Sequence, residues 1–383
     1  MTNSYKPAWQ TGGACRVAYD LSKIFTEKGH HVRVLTTDWG SKGQVPLDSE
    51  VVVDGNPVIY YRSWTPTLLS AKMPLPLHPL ILGVNGISDA DVVHIHDYRS
   101  PLAMTVVRQC QRLRVPYIIQ MHGSFGYDIG KGRQKKVFDR ALGERIIDKA
   151  AKIIALTSTE ASKLMESGIP SSKIKIIPNG IDPTSYSYLP DAGLFKASTN
   201  LLSKRVILYL GRLDETKDVD LLLNAFALCL EDREDIVLVL IGPDDGERTK
   251  LEQLCNNLDI RGHVKFMGFV DHKTKLAALA DADMIVCPSY SGFPIVFLEA
   301  CASGRPIITT LKGDKLDWLN EKAGIVTRYS AYDLRTAILR LLIDNKCSQQ
   351  FGNEGLRLAN DEFSLSTIAK RMQATYEEAI RGD

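Results

Sequence analysis

Short apolar runs alternate with segments of helical periodicity along nearly the whole chain. An early helix places Val17, Leu21, Ile24 and Phe25 on one face and stops at Gly29. "HVRVLTT" (31–37) follows it as a strand. "ADVVHIH" (90–96), "PYIIQMHG" (116–123), "KIIALTS" (152–158) and "SKIKIIP" (172–178) read as further buried strands. Continuously apolar strands separated by helices predict a parallel sheet covered on both faces. The pattern breaks at "NGIDPTSYSYLPDAGLFKASTN" (179–200), whose Pro, Gly, Ser and Asn content predicts a linker. Alternation resumes with "RVILYLG" (205–211) and a helix carrying Val219, Leu222, Leu223, Phe226 and Leu230. Strands at 235–242, 263–268, 283–289, 305–310 and 323–327 follow, then helices at 331–343, 346–360 and about 364–381.

This is the signature of an α/β protein with two doubly wound, Rossmann-like domains, 1–184 and 185–363. Ligands are expected at the carboxyl ends of the strands, facing a central cleft between the domains. The start of the chain is anomalous. A doubly wound domain opens on a buried strand, yet only the polar "MTNSY" precedes "KPAWQTGG". Either the first strand is stunted or the recorded start lies downstream of the real one, and the second alternative fits a mid-sheet position better.

Composition narrows the class. The chain has 383 residues, 44% hydrophobic and 24% charged, as in a soluble globular protein of two ordinary domains. No apolar leader opens it, and "MPLPLHPLILGV" (73–84) is too short and too proline-rich to span a bilayer. The seven cysteines form no C-x-x-C pair, which argues for a reducing, cytoplasmic setting without disulfides and against structural zinc. The net charge of +2 is uneven. Residues 1–180 carry 23 basic and 15 acidic side chains (+8), and 181–383 carry 24 and 30 (−6). Two domains with different partners would produce this, and so would drift on solvated surfaces.

Several stretches carry candidate chemistry. "TGGAC" (11–15) sets Gly12 and Gly13 at a helix start, where a backbone without Cβ atoms and free N–H groups can meet a phosphate. It is not the G-x-G-x-x-G fingerprint, which disfavours hydride transfer. In "LGRLDETKD" (210–218), Arg212 and Lys217 stand on the loop leaving a strand, a planar fork and a point charge suited to a diphosphate. A solvated basic turn is the plainer alternative. His94 and His96 share one side of a strand, and His122 ends another; His122, before Gly123, is the better cleft candidate. The triplets Asp89-Ala90-Asp91 and Asp281-Ala282-Asp283 match a metal-binding D-x-D but sit at strand starts, away from the expected cleft. Arg133, Lys135, Lys136 and Arg140 could meet anionic lipid at the inner face of a membrane, a phosphate-bearing acceptor, or only water. "SYSGFPIVFLEACASG" (289–304) leads an apolar run to the single carboxylate Glu299.

Taken together, Gly12-Gly13, "DADVVHIHD", the "HG" at 122–123, "IIPNGID" (176–182), "GRLDETKD", "VKFMGFV" (264–270) and "PSYSGFPIVFLEACASGRPIITT" (288–310) resemble glycosyltransferase family 4, retaining transferases of GT-B fold. The resemblance spans nearly the whole chain and implies roles for each position. Gly12 and Gly13 would approach the donor diphosphate and the acceptor. Arg212 and Lys217 would neutralise the departing diphosphate. Glu299 would bind the donor ribose. Gly292, Phe293, Pro294 and Ile295 would line the sugar pocket, with backbone N–H groups from Phe293 and Ile295 and none from Pro294. Phe269 and Val270 would lie beside the base, and His122 near the transferred sugar's 6-position. The final helix (364–381) would cross back to the first domain. No protein general base, cofactor or metal is implied, because the donor's own phosphate oxygen takes the acceptor proton.

The chain departs from the family pattern in three places. Ser291 replaces the first acid of E-x7-E, "KD" at 217–218 replaces the usual "KG", and the opening strand is short. A neutral Ser291 keeps one hydrogen bond but loses the charge-assisted one, a cost on the order of 10²-fold in rate if the acid serves the transition state. The expectation is therefore a metal-independent hexosyltransferase of polysaccharide biosynthesis. It would use a UDP- or GDP-linked donor and a lipid-linked or polysaccharide acceptor, and nucleic acid is not an expected partner. The alternative is a weak or inactive transferase-like subunit that binds nucleotide-sugar or a partner. A sugar epimerase of the same fold would need acidic and His groups that the sequence does not place.

Overall fold

The computed structural model describes residues 1–41, 43–64, 75–76, 79, 83–125, 143–290, 292–311 and 316–382. The chain forms two compact units. One comprises Met1–Gly180 with Leu365–Asp383, the other Ile181–Ser364.

In the first unit, helix α1 (Gly13–Glu27) leads to β1 (Val34–Thr37). An antiparallel hairpin follows, β2 (Glu50–Val53) and β3 (Asn56–Tyr61), and β3 runs parallel to β1. A short antiparallel pair, β4 (Ser63–Trp64) and β5 (Leu75–Pro76), is separate. Four parallel strands then lie in the order β6 (Val93–His96), β7 (Tyr117–Gln120), β8 (Lys152–Ala155) and β9 (Ile174–Ile176). Helices α2 (Pro101–Leu113), α3 (Glu144–Asp148) and α4 (Ser158–Glu166) fall between them. Ordinary end signals set the longer two. Ser100 accepts the Ala103 N–H and Pro101 occupies the first turn of α2, while Thr157 accepts the Glu160 N–H at the start of α4. Every residue of β7 and β8 is buried, as strands covered on both faces require.

The polar opening has a structural role. The Met1 amino group donates to the His94 carbonyl at 2.7 Å, His96 N–H donates to Met1 O at 2.9 Å, and Thr2 N–H donates to Leu35 O at 3.0 Å. Met1 and Thr2 thus run between β1 and β6, hydrogen-bonded to both. Taken in chain order, the sheet has its first segment at the centre, with later strands leaving in both directions. That is the doubly wound arrangement.

The second unit contains one six-stranded parallel sheet. Its strands are β10 (Arg205–Leu210), β11 (Ile236–Ile241), β12 (Val264–Gly268), β13 (Met284–Cys287), β14 (Ile307–Thr310) and β15 (Gly324–Thr327). They lie in the order β12-β11-β10-β13-β14-β15, so the winding reverses between β10 and β13. Helices α5 (Leu194–Ser198), α6 (Val219–Leu230), α7 (Arg248–Asn257), α8 (His272–Asp281), α9 (Ile295–Ala302), α10 (Ala331–Ile343) and α11 (Asn345–Asp361) accompany it. The chain enters and leaves this unit side by side, where Ile181 N–H donates to Phe363 O at 2.9 Å.

Two expectations need correction. The segment 179–200 is no free linker: Ile181, Tyr186 and Phe195 are buried, and the Asp281 carboxylate accepts the Gly193 and Lys196 N–H groups. Its turn-rich composition reflects tight packing turns around α5 rather than solvation. The β2–β3 hairpin was missed, because "EVVVDGNPVIYY" carries a proline and continuous rather than alternating apolar residues. All seven cysteines are buried and unpaired.

Candidate functional site

In a parallel doubly wound sheet, ligands bind beyond the strands' carboxyl ends where the winding reverses. In the second unit that place lies beyond β10 and β13, and the loops leaving these two strands carry Arg212 with Lys217, and Gly292 through Glu299. The β10 loop is built on close backbone contact. A Cβ on Gly211 would lie 2.7 Å from the Tyr209 hydroxyl, and one on Gly242 would lie 1.8 Å from the Gly211 carbonyl oxygen. The Tyr209 hydroxyl turns back to donate to Arg212 O at 2.8 Å. Leu213 and Pro243–Asp245 exchange two backbone hydrogen bonds. Arg212 is therefore launched from a rigid double turn. Its guanidinium pairs with Asp245 and lies 3.9 Å from Asp214. Lys217 ends a short 3₁₀ turn capped by Asp214 and is held below the usual lysine pKa, first by desolvation and then by the Arg212 charge. Arg212 and Lys217 set two cations on one turn, each repelling the other, an arrangement that favours an anionic ligand even with Asp245 and Asp214 beside Arg212.

Asp218, which follows, adopts φ +49°, the left-handed conformation that glycine takes most cheaply. Asp is among the side chains that tolerate this conformation.

Beyond β13, Gly292 has φ +61°, Pro294 is the N-cap of α9, and Ile295 opens the helix. Of the first-turn N–H groups of α9, that of Phe297 donates to Pro294 O at 3.2 Å, while that of Ile295 lies at the very start of the helix, where no carbonyl one turn earlier in the helix can accept it. The Phe293 ring packs into the core, 5.1 Å from Trp318 and 5.0 Å from Phe363, so only its backbone can face a ligand. Glu299, one turn into α9, pairs with Lys275 from α8 and accepts a hydrogen bond from the Tyr186 hydroxyl at 3.0 Å. Phe269 is exposed and Val270 half-buried, on the turn leaving β12. Ser291 lies outside the described residues, as do Arg133, Lys135, Lys136 and Arg140.

In the first unit, Gly12 caps α1 with φ +116°, and a Cβ there would meet no atom within 4 Å, so the space above it is open. Gly13 opens the helix. His122 follows β7 at φ +52° and Gly123 continues at φ +72°. His94 and His96 share one face of β6, as their spacing requires, and their rings stack at 4.1 Å. His96 Nδ1 lies 2.9 Å from His122 Nε2, and His94 Nδ1 lies 2.8 Å from the hydroxyl of Tyr376 on the C-terminal helix Leu365–Arg381. Desolvation holds all three imidazoles neutral, with His122 lowered to about 4. Glu160, fully buried at the start of α4, accepts the Gly123 N–H at 3.0 Å and the Leu156 N–H at 2.7 Å.

The D-x-D triplets serve packing. Asp281 caps α5, Asp283 pairs with Arg205 and accepts the Val206 N–H at 2.6 Å, and Asp89 pairs with Arg33. Among the described residues no group of three or more His, Cys, Asp or Glu side chains could hold a metal ion, and no helix is long and apolar enough to cross a membrane. Motif reasoning missed Lys275, Tyr186, Asp245 and Glu160. Each acts by partnering a motif residue from a distant element, which spacing along one stretch does not reveal.

The family models place these units. The model described as "Glycosyltransferase Family 4" matches residues 11–185, and "Glycosyl transferases group 1" matches 194–357. An uncharacterized glycosyltransferase of Methanocaldococcus jannaschii is 25% identical, over 96% of this chain and 95% of its own length. The phosphatidyl-myo-inositol mannosyltransferase of Mycobacterium leprae is 27% identical, over 96% and 93%. Among solved structures, Anabaena HepE in complex with UDP-glucose superposes with a TM-score of 0.78 at 19% identity, covering 98% of this chain and 99% of that one. This chain belongs to glycosyltransferase family 4 and has the GT-B fold.

Proposed function

We propose that this protein is a retaining, metal-independent hexosyltransferase that uses a UDP- or GDP-linked sugar and a lipid-linked or polysaccharide acceptor. The observation that carries the reading is the pair Arg212 and Lys217, set on a rigid loop at the winding reversal, with Glu299 on the loop-and-helix that leaves the neighbouring strand. The second unit binds the donor. Arg212 and Lys217 meet its diphosphate, Glu299 its ribose, Phe269 and Val270 the base, and the backbone of Gly292 to Ile295 the sugar. The first unit serves the acceptor, with Gly12 and Gly13 giving close backbone approach and His122 reaching the sugar's 6-position. The cations stabilise charge as it develops on the leaving diphosphate, and the donor phosphate takes the acceptor proton, so no protein base is needed. A UDP-glucose complex of a structural neighbour and a phosphatidylinositol-acting relative support this choice of substrates.

A panel of UDP- and GDP-hexoses in a thermal-shift assay tests donor choice, because a ligand that binds only the folded state raises the melting temperature. Turnover of the best donor should survive EDTA. Activity abolished by EDTA and restored by Mn²⁺ would overturn the metal-independent reading. The neutral Ser291 motivates a second reading, a weak or inactive subunit that still binds nucleotide-sugar. Transfer that emerges only in Ser291→Glu favours it.

A further inference from the structure

His122 adopts a backbone conformation that is costly for a residue with a Cβ, and Gly123 continues it. Such a turn persists only where its surroundings fix it. Two groups from different elements do so. Glu160 Oε1 takes the Gly123 N–H at 3.0 Å, while its Oε2 takes Leu156 N–H at the end of the adjacent strand β8. A buried carboxylate is an expensive choice for a staple, since desolvation penalises the charge unless strong hydrogen bonds satisfy it. At the other end, His96 and His122 lie nearly coplanar, 19° apart, with Nδ1 and Nε2 separated by 2.9 Å. With both rings neutral, one nitrogen of that contact must carry the proton and the other accept it. The contact therefore couples the tautomer of His122 to that of His96, and with it whether the other ring nitrogen of His122, Nδ1, donates or accepts. His96 is in turn held by the ring of His94, which Tyr376 anchors.

We propose that Glu160 and His96 are positioning residues of the transfer reaction, the first holding the backbone of the His122 turn and the second its imidazole. The inference rests on the reading that His122 meets the donor sugar. Misplacing a reacting contact by about 1 Å costs on the order of 10²-fold in rate. Glu160→Gln and His96→Gln should each lower kcat roughly 10- to 100-fold, with calorimetric UDP or GDP affinity within about 2-fold of wild type.

The test is a double-mutant cycle with His122→Ala, using hydrolysis and transfer from UDP-glucose and GDP-mannose, together with imidazole ¹⁵N NMR of the wild type. The expected result is a single neutral tautomer for His122, and losses from Glu160→Gln and His96→Gln that vanish in the His122→Ala background. Losses that persist there would show that both residues only support the fold, and His122 nitrogens averaging between tautomers would overturn the role of His96. If Glu160→Gln does not fold, the His96→Gln arm decides alone. Absence of turnover in the wild type with either donor would instead count against the transferase reading on which the inference depends, an outcome distinct from additive losses in an active enzyme.

Discussion

Asp218 stands in the left-handed region of backbone space, where glycine is the least costly residue. The position after Lys217 needs φ near +49°, and Asp supplies it at a steric cost that glycine avoids. Asp218→Ala should therefore destabilise the protein by about 1 kcal/mol more than Asp218→Gly does, because alanine keeps the Cβ and loses the local polar compensation. Urea unfolding of the two variants checks this, and equal midpoints would contradict it. The motif residues themselves were legible in sequence, since Arg212, Lys217, Glu299, Gly12, Gly292 and His122 each stand beside a strand end or helix start that periodicity locates. Their partners were not. Nothing near Glu299 in the chain points to Lys275, 24 residues away, or to Tyr186, 113 residues away, because such pairings are fixed by the packing of whole elements.

At the scale of elements, the doubly wound halves were legible because β7, β8, β11 and β13 are buried on both faces and read as unbroken apolar runs. The hairpin β2–β3 and the short opening at Met1–Thr2 were not. The first breaks the alternation rule, and the second owes its strand-like bonding to the neighbours it lies between rather than to its own residues. The close approach of Gly242 to Gly211 leaves no room for a Cβ, so Gly242→Ala should lower the melting temperature by several degrees, on the order of 3 kcal/mol or more. It should also weaken nucleotide binding, since it displaces the Arg212 turn. A melting temperature and nucleotide affinity like those of wild type would contradict the contact.

The histidine stack couples the stability of the first unit to pH. Burial lowers the pKa of His94, His96 and His122 in the folded state, while unfolded histidine titrates near 6.5. Below that value the unfolded chain binds more protons than the folded one. The stability tied to the neutral stack is therefore complete above about pH 6.5 and is lost as the pH falls, by at most about 1.4 kcal/mol per pH unit for each histidine. Calorimetric melting between pH 7 and 5.5 should show a falling midpoint, with a shallower slope in His96→Gln. A flat profile would contradict a neutral, buried stack.

At the scale of the whole molecule, the basic excess of residues 1–180 and the acidic excess of 181–383 follow the division of the chain into two units. The C-terminal helix belongs to the first unit, where Glu378 pairs with Lys152 and Lys175 and Tyr376 packs on Phe25. The proposed function requires the second unit to bind a nucleoside diphosphate through Arg212 and Lys217 without a metal. The most direct test is a calorimetric titration of UDP and GDP, in EDTA, into the wild type and the Arg212→Ala/Lys217→Ala variant. At least one nucleotide should bind the wild type saturably, with affinity weakened roughly 100-fold or more in the variant, as loss of two charge-assisted contacts implies. No binding to the wild type, or equal affinity in the two proteins, would contradict it.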